Sequence, residues 1–462
     1  MDKKFNLIVI GGGSAGYAAA RTVHENGGSV AVIDGGEQLS GLCILRGCMP
    51  SKTLIYSAEV LHLAKQGDVF GFEKTEIKAD LPAMQKRKSE IISEFADYRK
   101  SQLEDGRFSL FRSQAKFVDQ NSVELDDGML ITADKFVVST GSTVSMPNVP
   151  GLDRVSFKTS DDVLNLTEVP KEVVVLGGGI VACELAQFLS RVGSKVIILQ
   201  RSNRILKDFS EKASSTIENK FKEEGIELKT GVSIKCLKEL ENSKTRVDFD
   251  HKGESLSLET EFLFHALGRS PATEGLNLDQ IGVEFQKSGH IKTNSFQQSS
   301  LSHIYAAGDC AGPHEIVHIA IRQGETAARH AMGKTTKAIS YDHLLGVVFT
   351  DPQVASVGLL PKELDNRGIQ YLSADYPFDD HGKSILMEAK HGYVAVHADR
   401  KTGVILGAEC VGKDAGELIH TLSIAVSLKA TVHQLAQADW YHPTLSEIWT
   451  YPIEDLAEEI SN

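Results

Sequence analysis

One pattern occurs twice in this chain and limits the folds that it can adopt. In the first copy, the apolar run 5–10 precedes Gly11, Gly13 and Gly16, and a helical pattern and a second apolar run ending at Asp34 follow. This order is typical of a βαβ unit that binds a dinucleotide. Gly11 permits a tight turn, Gly13 lets a pyrophosphate approach the helix N-terminus, and Gly16 lets helix and strand pack closely. The alternative is a glycine-rich turn in another kind of α/β unit.

The second copy lies near the middle of the chain. Residues 172–176 precede Gly177 and Gly179, Ala182 takes the third glycine position, and a helix and the strand 194–199 follow. Two such units in one chain are far more specific than one. The sequence therefore predicts an α/β protein with two Rossmann-like dinucleotide-binding domains.

The residues at the ends of the two second strands differ. Asp34 is suited to accept a hydrogen bond from an adenosine ribose hydroxyl. At the corresponding point of the second unit stand Gln200 and Arg201, with Arg204 and Lys207 close behind. Basic residues there suit a ribose 2′-phosphate, which favours NADPH over NADH, although exposed bases at a strand end are also often simply solvated.

Two cysteines, Cys43 and Cys48, have four residues between them and stand at the head of a predicted helix. They can close a small disulfide loop if the chain kinks before Met49 and Pro50 begin the helix. The helix dipole and Lys52, one turn further on, favour a thiolate at Cys48. The alternative is two unrelated buried cysteines. A zinc site would need four ligands, and no second Cys or His pair has matching spacing, so we predict no metal site.

Length and charge exclude several classes of protein. The chain has 462 residues, enough for two or three domains, and a formal net charge of -13, which argues against nucleic acid or an anionic membrane as a partner. It has no run of about 18 apolar residues, and its first residues lead directly into a strand rather than a signal peptide. Six cysteines with one close pair do not make a secreted disulfide framework. We expect a soluble, cytoplasmic protein.

A Pro-rich stretch, 146–151, marks the first domain boundary. The second nucleotide unit ends near Gly268, and a strand ending in Gly308 and Asp309 then indicates a return to the first domain. From residue 341 the pattern changes to antiparallel strands followed by helices. The predicted domains are therefore 1–150 with 271–340, then 151–270, and then a C-terminal α+β domain, 341–462.

The glycine motifs, the cysteine pair, the Gly-Asp strand end and His-Pro-Thr-Leu-Ser-Glu at 442–447 occur in a characteristic order. In these features the chain resembles the pyridine nucleotide-disulfide oxidoreductases, a flavoprotein family that includes dihydrolipoamide dehydrogenase, glutathione reductase and mercuric reductase. The resemblance implies a homodimer with FAD in the first domain, NADPH or NADH in the second, a C-terminal dimerisation domain and an active site shared between subunits.

The resemblance also implies the cofactor-binding residues. Those that would hold FAD are Gly11, Gly13, Gly16, Asp34, Ala115, Thr140, Gly141, Ser142 and Asp309, and those of the nicotinamide nucleotide site are Gly177, Gly179, Arg201 and Gly268. Lys52 would pair with Glu184 beside the flavin ring. The helix beginning near His318 would direct its N-terminus at the flavin.

The catalytic residues follow from the same resemblance. Electrons would pass from the nicotinamide through FAD to a disulfide between Cys43 and Cys48. Cys48 would be the charge-transfer thiolate, and Cys43 would exchange with substrate. His442 of the partner subunit would move the proton of Cys43, and Glu447 would orient His442. Two alternatives stay open: Glu447 as part of a capping box with Thr444, and His442 as a residue placed only by the proline that follows it.

The residues leave the substrate open. Ile180 and the run 318–320 resemble dihydrolipoamide dehydrogenase, whereas Gln200 and Arg201 point towards an NADPH-dependent glutathione-type reductase. Arg46, inside the cysteine loop, either faces solvent or attracts an anionic disulfide. A mercuric reductase is disfavoured because no cysteine pair follows His442. A small or lipoyl-type disulfide is the expected substrate, and a redox sensor or binding module is the alternative of another class.

Overall fold

The computed structural model describes residues 3–73 and 76–461. Its strands are β1 Lys3–Ile10, β2 Val30–Ile33, β3 Ser109–Phe111, β4 Ala115–Asp119, β5 Ser122–Leu125, β6 Leu130–Val138, β7 Ser142–Val144, β8 Glu172–Leu176, β9 Lys195–Gln200, β10 Glu227–Thr230, β11 Ser233–Glu239, β12 Thr245–His251, β13 Glu254–Thr260, β14 Leu263–His265, β15 Arg269–Pro271, β16 Ile304–Ala306, β17 Leu345–Val348, β18 Gln353–Gly358, β19 Tyr371–Pro377, β20 Tyr393–Asp399 and β21 Ile405–Gly412.

Thirteen α-helices are described. They are α1 Ser14–Glu25, α2 Gly41–Arg46, α3 Cys48–Lys65, α4 Leu81–Glu104, α5 Ser160–Val163, α6 Ile180–Val192, α7 Glu211–Glu223, α8 Val317–Ala331, α9 Pro361–Asn366, α10 Gly382–Leu386, α11 Ala415–Leu428, α12 Val432–Ala436 and α13 Thr450–Ser461. Short 3₁₀ turns cover Gly67–Phe70, Leu152–Arg154, Phe378–Asp380 and Ser446–Trp449. Within the described residues, no helix is both long and apolar enough to cross a membrane.

The chain divides into two compact units. The first comprises the described residues up to Leu54, with Pro82–Pro147 and Gly268–Ser340. Its seven-stranded sheet has the order β3-β2-β1-β6-β5-β4, and β16 pairs with β6. Pairing among β3, β2, β1, β6 and β16 is parallel, and β5 and β4 add an antiparallel edge. Alternate residues of β1 enter separate apolar clusters on the two faces of the sheet, as expected for a buried parallel strand.

The second unit comprises the described residues of Ile55–Leu81, Asn148–Leu267 and Tyr341–Asn462. A parallel four-stranded sheet has the order β10-β9-β8-β14, and β11-β12-β13 form a separate antiparallel sheet. The C-terminal part is an antiparallel sheet of order β17-β18-β21-β20-β19. Its apolar face packs with α11 and α13 around the fully buried Trp449.

The predicted α/β class, both Rossmann-like units and the C-terminal α+β part are confirmed. Strands β18 and β19 and the sheet β11-β12-β13 were not predicted from the sequence. Side chains of β19 alternate between half-buried and exposed, so this strand lacks the continuous apolar run that made β8 recognisable.

Candidate active site

The first glycine turn has the geometry that its sequence predicted. Gly11, directly after β1, has a φ of +99°, and a Cβ there would lie 2.5 Å from the carbonyl oxygen of Ser139. A Cβ at Gly16 would lie only 1.8 Å from the carbonyl oxygen of Gly11. Helix α1 therefore lies against the turn at a distance that only glycine permits.

The same turn fits the diphosphate and ribose of a dinucleotide. Gly13 is the N-cap of α1 and no side chain caps it, so the helix begins with amide groups suited to an anion. At the end of β2, Asp34 accepts hydrogen bonds from the amides of Gly12, at 2.8 Å, and Gly36, at 2.9 Å. These bonds fix an acidic side chain beside the turn. The residues present thus fit the adenosine diphosphate end of FAD.

A second group of predicted FAD residues lies in the same unit. The Ser142 hydroxyl donates to Asp309 at 2.6 Å and accepts from Nε of Arg269 at 2.8 Å. The Thr140 hydroxyl donates to the carbonyl oxygen of Ala272 at 2.6 Å, which fixes the turn formed by residues 140–142. The hydrogen bonds from Arg269 to Ser142 and from Ser142 to Asp309 hold the Asp309 carboxylate in a defined position.

The remaining predicted residues of this unit have simpler surroundings. Gly141 has a φ of +75°, Ala115 is buried at the start of β4, and His318 is exposed in the first turn of α8. Gly268 has a φ of +111°, and its carbonyl oxygen accepts a hydrogen bond from the Ser145 amide at 3.0 Å.

A buried glutamine supports this region and was not predicted. Oε1 of Gln323, on α8, accepts from the Gly308 amide at 2.7 Å, and Nε2 donates to the Gly312 carbonyl oxygen at 2.8 Å. The two bonds fix the loop that carries Asp309. The available signal was a glutamine on the apolar face of an otherwise amphipathic helix.

The second glycine turn repeats the backbone of the first. Gly177 has a φ of +112°, and a Cβ there would lie 2.4 Å from the Ala266 carbonyl oxygen. Gly179 is the N-cap of α6, has no side-chain cap, and has open space where a Cβ would stand. This turn therefore also fits a dinucleotide phosphate.

The basic residues after β9 have different environments. Arg204 donates to the carbonyl oxygens of Lys207, at 2.8 Å, and Phe209, at 3.1 Å, and lies 3.3 Å from Glu211. Arg204 thus supports its own loop. Arg201 and Lys207 are exposed.

The cysteines lie on two helices rather than on one. Gly47 separates α2 from α3, so Cys43 lies within α2 and Cys48 begins α3. The predicted kink occurs here, because the backbone of Gly47 is not helical, with a φ of -128° and a ψ of -116°. A Cβ at Gly47 would lie 3.0 Å from the Leu42 carbonyl oxygen. A Cβ at Gly41 would lie 2.7 Å from Cα of Gly13, which brings the start of α2 against the first glycine turn.

Cys43 and Cys48 are both free thiols, joined by a hydrogen bond. That bond and burial raise the pKa of Cys43 well above its ordinary value, whereas the positive charge of Lys52 opposes the rise. Cys43 is half-buried and Cys48 is exposed. The predicted proximity of the two sulfurs is therefore present, and Cys48 lies at a helix N-terminus as expected.

Glu184 belongs to a set of polar side chains on one face of α6. Its Oε1 accepts from the Phe349 amide at 2.9 Å. Gln187 exchanges two hydrogen bonds with the Asp351 backbone, at 2.7 and 2.8 Å, and Arg191 donates to the Asp351 carboxylate at 2.8 Å. This buried network was not predicted, although three polar residues spaced three and four apart on an apolar helix were a signal.

The predicted His442–Glu447 pair is formed. Nδ1 of His442 lies 3.0 Å from each carboxylate oxygen of Glu447, and the histidine side chain is 78% exposed. The Glu447 amide donates to the Thr444 hydroxyl at 3.3 Å, which is half of the alternative capping box. The Glu447 carboxylate is directed at His442. In the part of the chain that the structure describes, no group of three or more His, Cys, Asp or Glu side chains could hold a metal ion.

These features agree with the comparisons with known proteins. The family model described as "Pyridine nucleotide-disulphide oxidoreductase" matches residues 5–324, and the model of its dimerisation domain matches residues 345–452. The chain therefore belongs to the pyridine nucleotide-disulphide oxidoreductase family. It is an FAD-dependent oxidoreductase that acts on sulfur groups with NAD(P)H, and its dimerisation domain indicates a homodimer.

Individual relatives cover nearly the whole chain. A mercuric reductase from Bacillus cereus is 33% identical over 96% of this chain and 70% of its own length. A dihydrolipoyl dehydrogenase from Chlamydia muridarum is 31% identical over 97% of this chain and 96% of its own. The solved structure of the HOCl-induced flavoprotein disulfide reductase RclA from Escherichia coli shares the fold, with a TM-score of 0.86, 23% identity, and coverage of 97% of this chain and 99% of that one.

Proposed function

We propose that this chain transfers two electrons between NADPH and a small or protein-bound disulfide through the thiols of Cys43 and Cys48. In the reducing direction, NADPH and a proton are consumed, one substrate S–S bond breaks, and NADP⁺ and two thiols form. Bound FAD would carry the two electrons from the nicotinamide to the sulfur pair. The observation that carries the proposal is the paired thiols beside the first glycine turn, where Gly41 contacts Gly13.

The two thiols have different roles in this proposal. The Cys43 thiolate attacks one substrate sulfur, the substrate S–S bond breaks, and half of the substrate leaves as a thiol after taking a proton. Cys48 then attacks the Cys43 sulfur, releases the second half and forms the Cys43–Cys48 disulfide. The raised pKa of Cys43 supports the need for a base, because its proton is held more firmly than that of an ordinary thiol.

His442 of the partner subunit is the base that we propose. Its exposed ring is available outside its own chain, and the contact between Nδ1 and Glu447 supports the imidazolium that forms when the ring takes a proton.

We also propose the pairing of Lys52 with Glu184 beside the flavin ring, and the domain limits 1–150 with 271–340, 151–270 and 341–462. A cytoplasmic location is proposed from the cysteine usage.

NADPH is the coenzyme that we favour over NADH. Gln200 ends β9 where an acid would repel a 2′-phosphate, and Arg201 and Lys207 are exposed nearby. The same residues support a second candidate function, an NADPH-dependent glutathione-type disulfide reductase. Similarity to the dihydrolipoyl dehydrogenase from Chlamydia muridarum supports a dihydrolipoamide dehydrogenase-like enzyme, which remains our first candidate.

The test of the thiol roles is anaerobic two-electron reduction of Cys48→Ser. The wild-type protein should develop a long-wavelength charge-transfer absorbance that Cys48→Ser lacks and Cys43→Ser keeps. Cys236→Ser is the matched control, because Cys236 is another exposed cysteine, on β11. A charge-transfer band that persists in Cys48→Ser would show that the roles are misassigned.

The coenzyme and substrate are tested together. Anaerobic titration with NADH and NADPH in turn, followed by turnover of lipoamide, glutathione disulfide and Hg²⁺, separates the candidate substrates. Turnover of a small disulfide at tens per second, an ordinary rate for an enzyme, would eliminate the alternative of a redox sensor. If no disulfide in the panel is reduced while NADPH still reduces the flavin, the proposed substrate class is wrong.

A further inference from the structure

Glu447 has a second histidine neighbour, which no role described above uses. His381 precedes α10, its side chain is fully buried, and its Nε2 lies 3.5 Å from Oε1 of Glu447. Its Nδ1 lies 2.8 Å from the hydroxyl of Ser384, which is also fully buried. The Glu447 carboxylate therefore stands between an exposed histidine, His442, and a buried one.

The acidic group that faces Nε2 of His381 is the Glu447 carboxylate. The Tyr451 ring lies edge-on with its centroid 6.3 Å from that of His381, and Tyr376 stacks on Tyr451 at 3.8 Å. The Tyr376 hydroxyl donates to the Asp380 carboxylate at 2.9 Å. Within the described residues, Nε2 of His381 has no hydrogen-bond partner. A buried ring nitrogen without a hydrogen-bond partner destabilises a fold, so its position opposite a carboxylate calls for a functional explanation.

The protonation state of His381 follows from the same contacts. The pKa of His381 lies below its ordinary value, mainly because the ring is buried. The Glu447 carboxylate raises this pKa by less than burial lowers it, and His442 lowers it further. The ring is therefore neutral at neutral pH. When the Ser384 hydroxyl donates to Nδ1, the ring proton lies on Nε2 and points at Glu447. A contact of 3.5 Å is longer than a good hydrogen bond, and such contacts at active sites often shorten when substrate binds.

We propose that His381 is a positioning residue, whose neutral Nε2–H holds the Glu447 carboxylate in line with Nδ1 of His442. The inference rests on the proposed role of His442 as the base for Cys43. A neutral donor on Oε1 fixes the carboxylate and withdraws part of its negative charge. His442 is thereby oriented, while its protonated form is stabilised less than it would be beside an unshielded carboxylate. His442 can then both take the proton of Cys43 and return a proton to the leaving thiol.

The test compares His381→Leu, which removes the donor, with His381→Gln, whose amide reaches the position of Nε2. His442→Gln first identifies the limb of the pH–rate profile that belongs to the proposed base. His381→Leu should move the midpoint of that limb to higher pH by roughly one unit, and should lower the rate of disulfide reduction about tenfold. His381→Gln should restore both towards wild type. Ser384→Ala, a milder change, should shift the midpoint in the same direction by less.

His397 is the matched control in the same C-terminal part. It is also buried, lies 2.7 Å from a serine hydroxyl, that of Ser373, and burial lowers its pKa to about 4. His397→Leu should reduce stability without moving the midpoint.

The outcomes separate the inference from the proposed function. An unmoved midpoint in His381→Leu and Ser384→Ala, or a His381→Gln protein as impaired as His381→Leu, would overturn the role of His381 alone. A His442→Gln protein that reduces disulfides at the wild-type rate would instead overturn the base assignment of the proposed function, and this inference with it.

Discussion

The two glycine turns share a backbone and differ at the end of the strand that follows. After β2, Asp34 accepts a hydrogen bond from the Gly12 amide. At the end of β9, the side chain of Gln200 lies against Gly178, whose Cβ would stand 3.0 Å from Cγ of Gln200, and its Nε2 is 3.4 Å from the Arg204 carbonyl oxygen. Backbone geometry therefore forms a turn suited to a dinucleotide in both units. The side chain at the end of the following strand, Asp34 or Gln200, sets the charge beside the bound nucleotide.

The third position of each motif shows a second difference. A Cβ at Gly16 would collide with the backbone of the first turn, whereas Ala182 is accommodated, fully buried, at the same position of the second. The first helix therefore approaches its turn more closely than the second does. The identical motif positions tolerate different residues because their helix–turn packing differs.

The largest expected effect comes from Gly16→Ala. The new Cβ would lie 1.8 Å from the Gly11 carbonyl oxygen, a backbone atom that cannot move aside, so we expect loss of bound flavin and more than about 3 kcal/mol of stability. Flavin absorbance of the purified protein and urea unfolding measure both. The matched change, Ala182→Gly, should cost only about 1 kcal/mol of stability through helix propensity and should leave flavin content intact. Equal effects of the two would contradict the packing difference.

An intermediate effect is expected from Asp34→Ala. Removal of the carboxylate leaves the Gly12 and Gly36 amides without their acceptor, so the FAD dissociation constant should rise by about 10- to 100-fold, as for a lost hydrogen bond to a charged group. Fluorescence titration of the apoprotein with FAD measures this. Gln200→Ala, the matched change at the other turn, should leave FAD affinity unchanged. A loss of FAD affinity in both would show that the two turns do not act independently.

The smallest expected effect is on the choice between NADPH and NADH, which depends on the side chains that follow β9. Arg201→Ala should raise the KM for NADPH about tenfold with little change for NADH, because only NADPH has the 2′-phosphate. Gln200→Glu should act in the same direction by placing an acid where Asp34 stands in the first turn. The ratio of kcat/KM for the two coenzymes is the measurement, with Arg204→Ala, whose guanidinium supports its own loop, as control. An unchanged ratio in Arg201→Ala and Gln200→Glu would remove the basis for favouring NADPH.

Features that depend on neighbouring residues in the chain were predictable from the amino-acid sequence. The strand before Gly11, the helix after Gly13 and the repeat at Gly177 were predictable, because a turn, a cap and an apolar run are set by residues a few positions apart. The position of Cys48 at a helix N-terminus was predictable for the same reason.

Contacts between residues far apart in sequence could be identified only from the folded chain. Gln323 fixes the loop that carries Asp309. Arg191 donates a hydrogen bond to Asp351, 160 positions further along the chain, and His381 lies against Glu447, which belongs to a later element. Local patterns do not encode such pairs, because they form only when packed sheets and helices bring buried polar groups to partners that satisfy them. Local sequence patterns therefore predict the positions of the nucleotide turns and of the cysteine pair. The packing of the folded chain determines which buried side chains hold these sites in place.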